Sequence, residues 1–228
     1  MRTSHGIVYT VKVLSEHLYK ELEARREPVL EIARQICDEG NDSNSRMVGL
    51  GVLSFCGLSD FTSVAPHFES VAVSPDWNMR EISQTLFRKL IKKHPDEATS
   101  FLLRLAKSST GYLRRFVGET LRPVQENRWF YKNPEYSLSI LKYMFTEGFP
   151  NARTSVGNNL SDLARKLPEL VYSLAEELVE SGNKNSYWIA YRACRNLVKH
   201  EPIRVMNLLK IDEYRYKTRI HRRRDTCA

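Results

Sequence analysis

The chain has 228 residues, with 35 Lys and Arg against 27 Asp and Glu, a formal net charge of +8, and hydrophobic and charged contents of 42% and 27%. These are the proportions of an ordinary soluble protein long enough for one large domain or a repeat array, and the cationic excess suits a polyanionic partner. No apolar stretch approaches the length that spans a bilayer, and the MRTSHG start lacks the apolar region of a secretory signal. Cys37, Cys56, Cys194 and Cys227 show no CxxC or metal spacing and read as reduced thiols in a cytoplasmic protein. The six histidines are dispersed, so no metal site is expected.

Residues 9–38 are predicted helical: Val13, Leu14, Leu18 and Leu22 recur at helical spacing, and Pro28 opens a second helix closed by Gly40. A polar turn follows at 41–45. The stretch 47–56 is apolar on all sides and reads as a buried helix, with a strand left open by periodicity alone.

From Asp60 onward a repeat emerges. LIKKHP at 90–95, LARKLP at 163–168 and LVKHEP at 197–202 each end a helix in basic residues before a proline that starts the next. Prolines 95, 134, 168 and 202 are spaced by 39, 34 and 34 residues, the length of a two-helix unit. Such units cannot bury their apolar faces singly, so they stack. The expected fold is therefore all-α, a right-handed α-solenoid of two-helix repeats with a concave basic groove, in one domain over 1–228. Its parts are N-terminal helices at 1–69, repeats at 70–209 and a basic tail at 210–228. Inner helices open near Trp77, Tyr112, Asn151 and Tyr187, and outer helices cover 97–106, 136–145, 169–179 and 203–209. The tail holds seven Lys and Arg between 210 and 224 and reads either as a helical cap fraying into a basic arm or as a solvated terminus.

The segment YLRRFVGETLRPVQENRW, 112–129, stands apart. Two arginines open its helix and Glu119 sits near the end, so both signs oppose the helix macrodipole. Arginines at an exposed helix start suit phosphate, and a carboxylate suits a developing positive charge.

The blocks Arg114-Arg115-Phe-Val-Gly-Glu119-Thr-Leu-Arg122-Pro123, Ser155-Val-Gly-Asn158-Asn159-Leu-Ser-Asp162-Leu and Trp188-Ile189 through Arg195 resemble those of the AlkC and AlkD group of HEAT-like DNA glycosylases, more closely AlkC. The likeness covers roughly residues 70 to 202. It implies a HEAT-like repeat fold and hydrolysis of the N-glycosidic bond of positively charged N3- or N7-alkylpurines in duplex DNA, for base excision repair, with neither metal nor organic cofactor. The family's carboxylates fall on Glu81, Glu119 and Asp162. Double-stranded DNA with alkylated bases is the expected partner, bound by a monomer that is cytoplasmic and nucleoid-associated when on DNA, with no membrane involved.

Such a leaving base is already cationic, so the remaining task is to stabilise the sugar and aim a water, which carboxylates can do. Arg80, Arg115, Arg153 and Arg192 are the leading candidates for the DNA backbone, with Arg114 and Arg195 behind them. Trp77, Trp129 and Trp188 lie beside these residues and suit stacking on a base or sugar. Trp77 and Trp188 read equally as packing between repeats, whereas Trp129 sits in a polar stretch and reads as an exposed aromatic loop. Asn158 and Asn159 suit an inter-repeat hydrogen-bond ladder. The alternative function is a non-catalytic HEAT-repeat module that binds DNA or an acidic protein, with Glu119 and Asp162 as ordinary ion-pair partners and Glu81 as surface charge.

Overall fold

The computed structural model describes residues 6–216 and 219–222, which divide after Leu105 into two compact units. The first holds α1 (Ile7–Ala24), α2 (Val29–Glu39), α3 (Ser43–Cys56), α4 (Phe61–Ala72), α5 (Trp77–Lys93) and most of α6 (Pro95–Ala106). The second holds α7 (Gly111–Thr120), α8 (Pro134–Leu141), α9 (Pro150–Leu163), α10 (Pro168–Glu180), α11 (Lys184–Ala193), α12 (Pro202–Leu209) and a two-stranded ribbon of β1 (Glu213–Tyr216) and β2 (Arg219–Arg222). Each unit has its own set of helices. No described helix is long and apolar enough to cross a membrane.

Local chemistry accounts for the helix starts. The Asp42, Asp60 and Asp76 side chains accept from backbone N–H groups of α3, α4 and α5, and Asn183 does so for α11. Pro134, Pro150, Pro168 and Pro202 occupy the first turns of α8, α9, α10 and α12, where a missing N–H costs nothing. The apolar 47–56 stretch is helical, and Met47, Leu50, Val52 and Leu53 are buried in the first unit, where α3 packs on α1, α2 and α5.

In the second unit α7, α9 and α11 form a row, α7 against α9 and α9 against α11, while α10 packs on α9, α11 and α12. The row is tight. A Cβ added at Gly118 on α7 would lie 2.8 Å from the Ser155 Cβ of α9, and one at Gly157 would lie 2.6 Å from the Arg192 Cβ of α11. Asn159, fully buried on α9, donates from Nδ2 to the Gly118 carbonyl at 3.3 Å, and Asn196 donates to the Ser161 carbonyl at 2.7 Å. These bonds are ladder rungs between repeats.

Two expectations change. The 125–131 stretch is not an exposed loop but a 3-10 helix, Gln125–Tyr131, and Trp129 is half-buried against Phe130 and Tyr136 at ring distances of 4.4 and 5.0 Å. The described part of the basic tail forms strands, not a helical cap, because alternate residues Tyr214 and Tyr216 bury one face. Cys227 lies outside the described residues.

Gly118→Ala is expected to lower stability by about 1 to 3 kcal/mol through overpacking, read as a reduced midpoint in thermal or urea unfolding.

A carboxylate pair bridged by one arginine

Glu119 ends α7 and Asp162 ends α9, so the row brings their side chains to the same level of the second unit. Arg122, just beyond α7, lies between them. Its Nε and Nη2 donate to Asp162 Oδ2 at 2.8 and 2.6 Å, and its Nη1 donates to Glu119 Oε2 at 3.1 Å. The Asp162 side chain is only 1% exposed, against 12% for Glu119 and 27% for Arg122. Asp162 Oδ1 accepts no hydrogen bond among the described residues, but lies 3.4 Å from Arg165 Nη2 and 3.7 Å from Arg195 Nη2.

Burial works against the Arg122 charge, yet Glu119 and Asp162 outweigh it and hold the guanidinium pKa above its ordinary value. Arg122 spends two N–H groups on Asp162 and one on Glu119. Of the two acids that Arg122 bridges, Glu119 is the more exposed. The Tyr131 hydroxyl of the 3-10 helix donates to the Asp162 carbonyl at 3.2 Å, closing one side of the pair. Arg122 was legible as part of a motif but not as the bridge, since its reach across 40 positions is set by how α7 meets α9.

The remaining predicted residues divide by role. Arg114 is committed to protein contacts: Nε and Nη2 hold the nearly buried Glu147 at 2.5 and 3.0 Å, and Nη1 donates to the Ser108 carbonyl at 2.7 Å. Arg80 on α5 donates from Nη1 to the Ser74 and Pro75 carbonyls, the same reach back over the preceding turn. Arg153 donates to Asn185 Oδ1 at 2.7 Å and stacks on Trp188 at 4.6 Å. Each is the fourth residue of its helix, and there the recurring arginine ties helix starts to turns. Arg80, Arg114 and Arg153, expected at phosphates, each make hydrogen bonds to protein oxygens.

Arg192 and Arg195 differ. Arg192 Nε and Arg195 Nη1 both donate to Asn158 Oδ1, at 2.9 and 3.2 Å, and both guanidiniums lie over the Tyr216 ring. Arg115 is half-buried on α7. Trp188 is half-buried beneath Arg153, a packing role, whereas Trp77 is 62% exposed at the start of α5. Glu81 is half-buried on α5 in the first unit. Among the described residues no group of three or more His, Cys, Asp and Glu could hold a metal ion.

Glu147→Gln is expected to destabilise the second unit by about 3 to 5 kcal/mol, because the Arg114 guanidinium then loses its buried counter-charge. A denaturant titration checks this, and Arg114→Ala should cost a similar amount.

No protein-family model matches the sequence, and no curated protein matches it. Solved structures do. AlkD2 from Streptococcus mutans superposes with a TM-score of 0.68 at 20% identity, covering 85% of this chain and 91% of that one. The Pseudomonas fluorescens alkylpurine DNA glycosylase AlkC, bound to DNA containing an abasic site analog, superposes with a TM-score of 0.51 at 18% identity, covering 91% of this chain and 69% of that one. The sequence blocks lean toward AlkC, while the backbone superposes better on AlkD2. This chain has the all-α helical-repeat fold of the AlkC and AlkD type.

Proposed function

We propose that this protein is a DNA glycosylase that hydrolyses the N-glycosidic bond of positively charged alkylpurines in duplex DNA. The observation that carries the reading is the Glu119, Arg122 and Asp162 cluster, built from adjacent helices of a fold shared with an alkylpurine DNA glycosylase. Glu119 is the catalytic carboxylate in this reading. Its negative charge stabilises the sugar as the bond to the cationic base breaks, and an oxygen of it orients the attacking water. The departing base leaves neutral, so no acid is needed on it.

Asp162 has a different task. A side chain 1% exposed does not meet a nucleotide, so it acts as a positioning residue through Arg122. By taking two of the three donated N–H groups, Asp162 holds the guanidinium in one orientation beside Glu119. Arg192, Arg195 and Arg115 supply the backbone contacts, Trp77 is a candidate for stacking on a base or sugar, and Glu81 is a catalytic carboxylate by the sequence resemblance.

A second reading is a non-catalytic DNA-binding scaffold, favoured by the fact that Glu119 and Asp162 already sit in ion pairs. Release of free base from methylated duplex DNA separates the two. The wild-type protein should release 3- or 7-methylpurine, and Glu119→Gln should lose 100-fold or more in rate, corresponding to about 2.7 to 4 kcal/mol for one such electrostatic contact, while binding to the same duplex persists. Absence of release by the wild-type protein, with binding intact, selects the scaffold.

The positioning role makes a further expectation. Arg122→Lys keeps the charge but not the fork that serves two carboxylates at once. It should therefore lower the single-turnover rate of release about 10-fold or more, with little change in duplex affinity. An unchanged rate would remove Arg122 from the mechanism.

A further inference from the structure

The C-terminal ribbon is the one described element that breaks the helical pattern. β1 pairs antiparallel with β2 in the register Glu213 with Arg222, Tyr214 with His221, Arg215 with Ile220 and Tyr216 with Arg219. Alternation places Tyr214, Tyr216, Arg219 and His221 on one face and Glu213, Arg215, Ile220 and Arg222 on the other. Tyr214 anchors the first face. It is fully buried, stacked on Tyr191 at 4.3 Å, and its hydroxyl donates to the Tyr191 carbonyl at 2.7 Å. The Tyr191 hydroxyl in turn donates to the Arg215 carbonyl at 2.8 Å and accepts from the Arg215 N–H at 2.7 Å. A ribbon held by a buried ring and three hydrogen bonds to α11 has a set position on that helix.

That position has a consequence one step along the same face. The Tyr216 ring lies under Arg192 at 5.1 Å and Arg195 at 5.4 Å, and Arg195 Nη1 donates to the Tyr216 hydroxyl at 3.2 Å. The cross-strand partner of Tyr216 is the exposed Arg219, so a third guanidinium belongs to this face. Of these cations Arg195 lies 3.7 Å from Asp162, a carboxylate already shared with Arg122 and Arg165. On the opposite face Glu213 pairs with both Arg215 and Arg222. The Tyr216 face thus gathers three guanidiniums, while on its back Glu213 offsets part of the charge of Arg215 and Arg222. A guanidinium stacked on an aromatic ring is fixed in plane, and its edge can still offer paired N–H donors to a phosphate.

We infer that the ribbon is a DNA-backbone contact in its own right: Tyr216 sets the planes of Arg192 and Arg195, and Arg219 adds a third cation, so that α11 and the ribbon grip one stretch of phosphodiester together. The inference rests on duplex DNA being the partner and extends that reading to a segment beyond the helical repeats. Tyr216 is a positioning residue here, and Arg192, Arg195 and Arg219 are the contacts.

The test uses the full chain and an undamaged duplex, with affinity measured as a function of salt. Removing one phosphate contact lowers the slope of log affinity against log salt by about 0.9. Arg219→Ala should show that drop and bind several-fold more weakly, and Arg219→Glu should bind more weakly still. Tyr216→Ala should also reduce affinity and slope, whereas Tyr216→Phe, which keeps the ring, should stay near the parent in slope. Because Arg219 is exposed, its variants report even if Tyr216→Ala loosens the ribbon. Parent-like affinity and slope in both Arg219→Ala and Tyr216→Ala, alongside DNA binding by the parent, overturns the ribbon's role and leaves the wider DNA reading standing. Failure of the parent itself to bind duplex DNA overturns both.

Discussion

A carboxylate taken out of water must be met by a cation with several donors, and this requirement governs the second unit. Removing Asp162 from solvent without a partner would cost several kcal/mol. Arg122 answers with two N–H groups from one planar fork and still reaches Glu119 with a third. The ends of α7 and α9 are therefore bound into one electrostatic object, and any chemistry at Glu119 inherits its geometry. A lysine in that place would offer charge without the fork.

The same logic recurs along the row with lower stakes. Arg114 holds Glu147, Arg153 holds Asn185, and Arg192 and Arg195 share Asn158, each joining one repeat to another 32 to 37 positions away. Glycines 118 and 157 let the helices approach closely enough for these side chains to meet. Exposed pairs elsewhere, such as Arg104 with Glu69 and Arg204 with Glu169, follow the same spacing but contribute little in solvent. Arg114 turns its donors onto Glu147 and the Ser108 carbonyl, whereas Arg192 and Arg195 combine their bonds to Asn158 with a place over the Tyr216 ring.

Much of this was legible in the residues. Proline spacing and basic helix ends anticipated α6, α8, α10 and α12 nearly to their bounds, because proline at a helix start is a local preference that stacking does not override. Asn158 and Asn159 in mid-helix marked the inter-repeat ladder for a related reason: poor helix formers are tolerated where their amides find partners. Trp129 misled. Its polar neighbours suggested exposure, but a 3-10 turn places the ring on Phe130 and Tyr136, contacts that no periodicity announces. The tail misled similarly, since its charge hid the alternation of Tyr214 and Tyr216 that makes a strand.

By itself the sequence determined the helical class, the two-helix period, the proline starts of the outer helices and the identity of Glu119, Asp162 and the arginines as the residues worth following. These are local properties, written in spacing and side-chain type. The tertiary structure alone decided which arginine serves which acid, that Asp162 is sealed while Glu119 keeps some exposure, and that β1 and β2 form a ribbon tied to α11. Ion pairs across more than thirty positions depend on the distance and rotation between helices, and those are set by close packing at glycine and alanine surfaces. A chain read one residue at a time does not carry them.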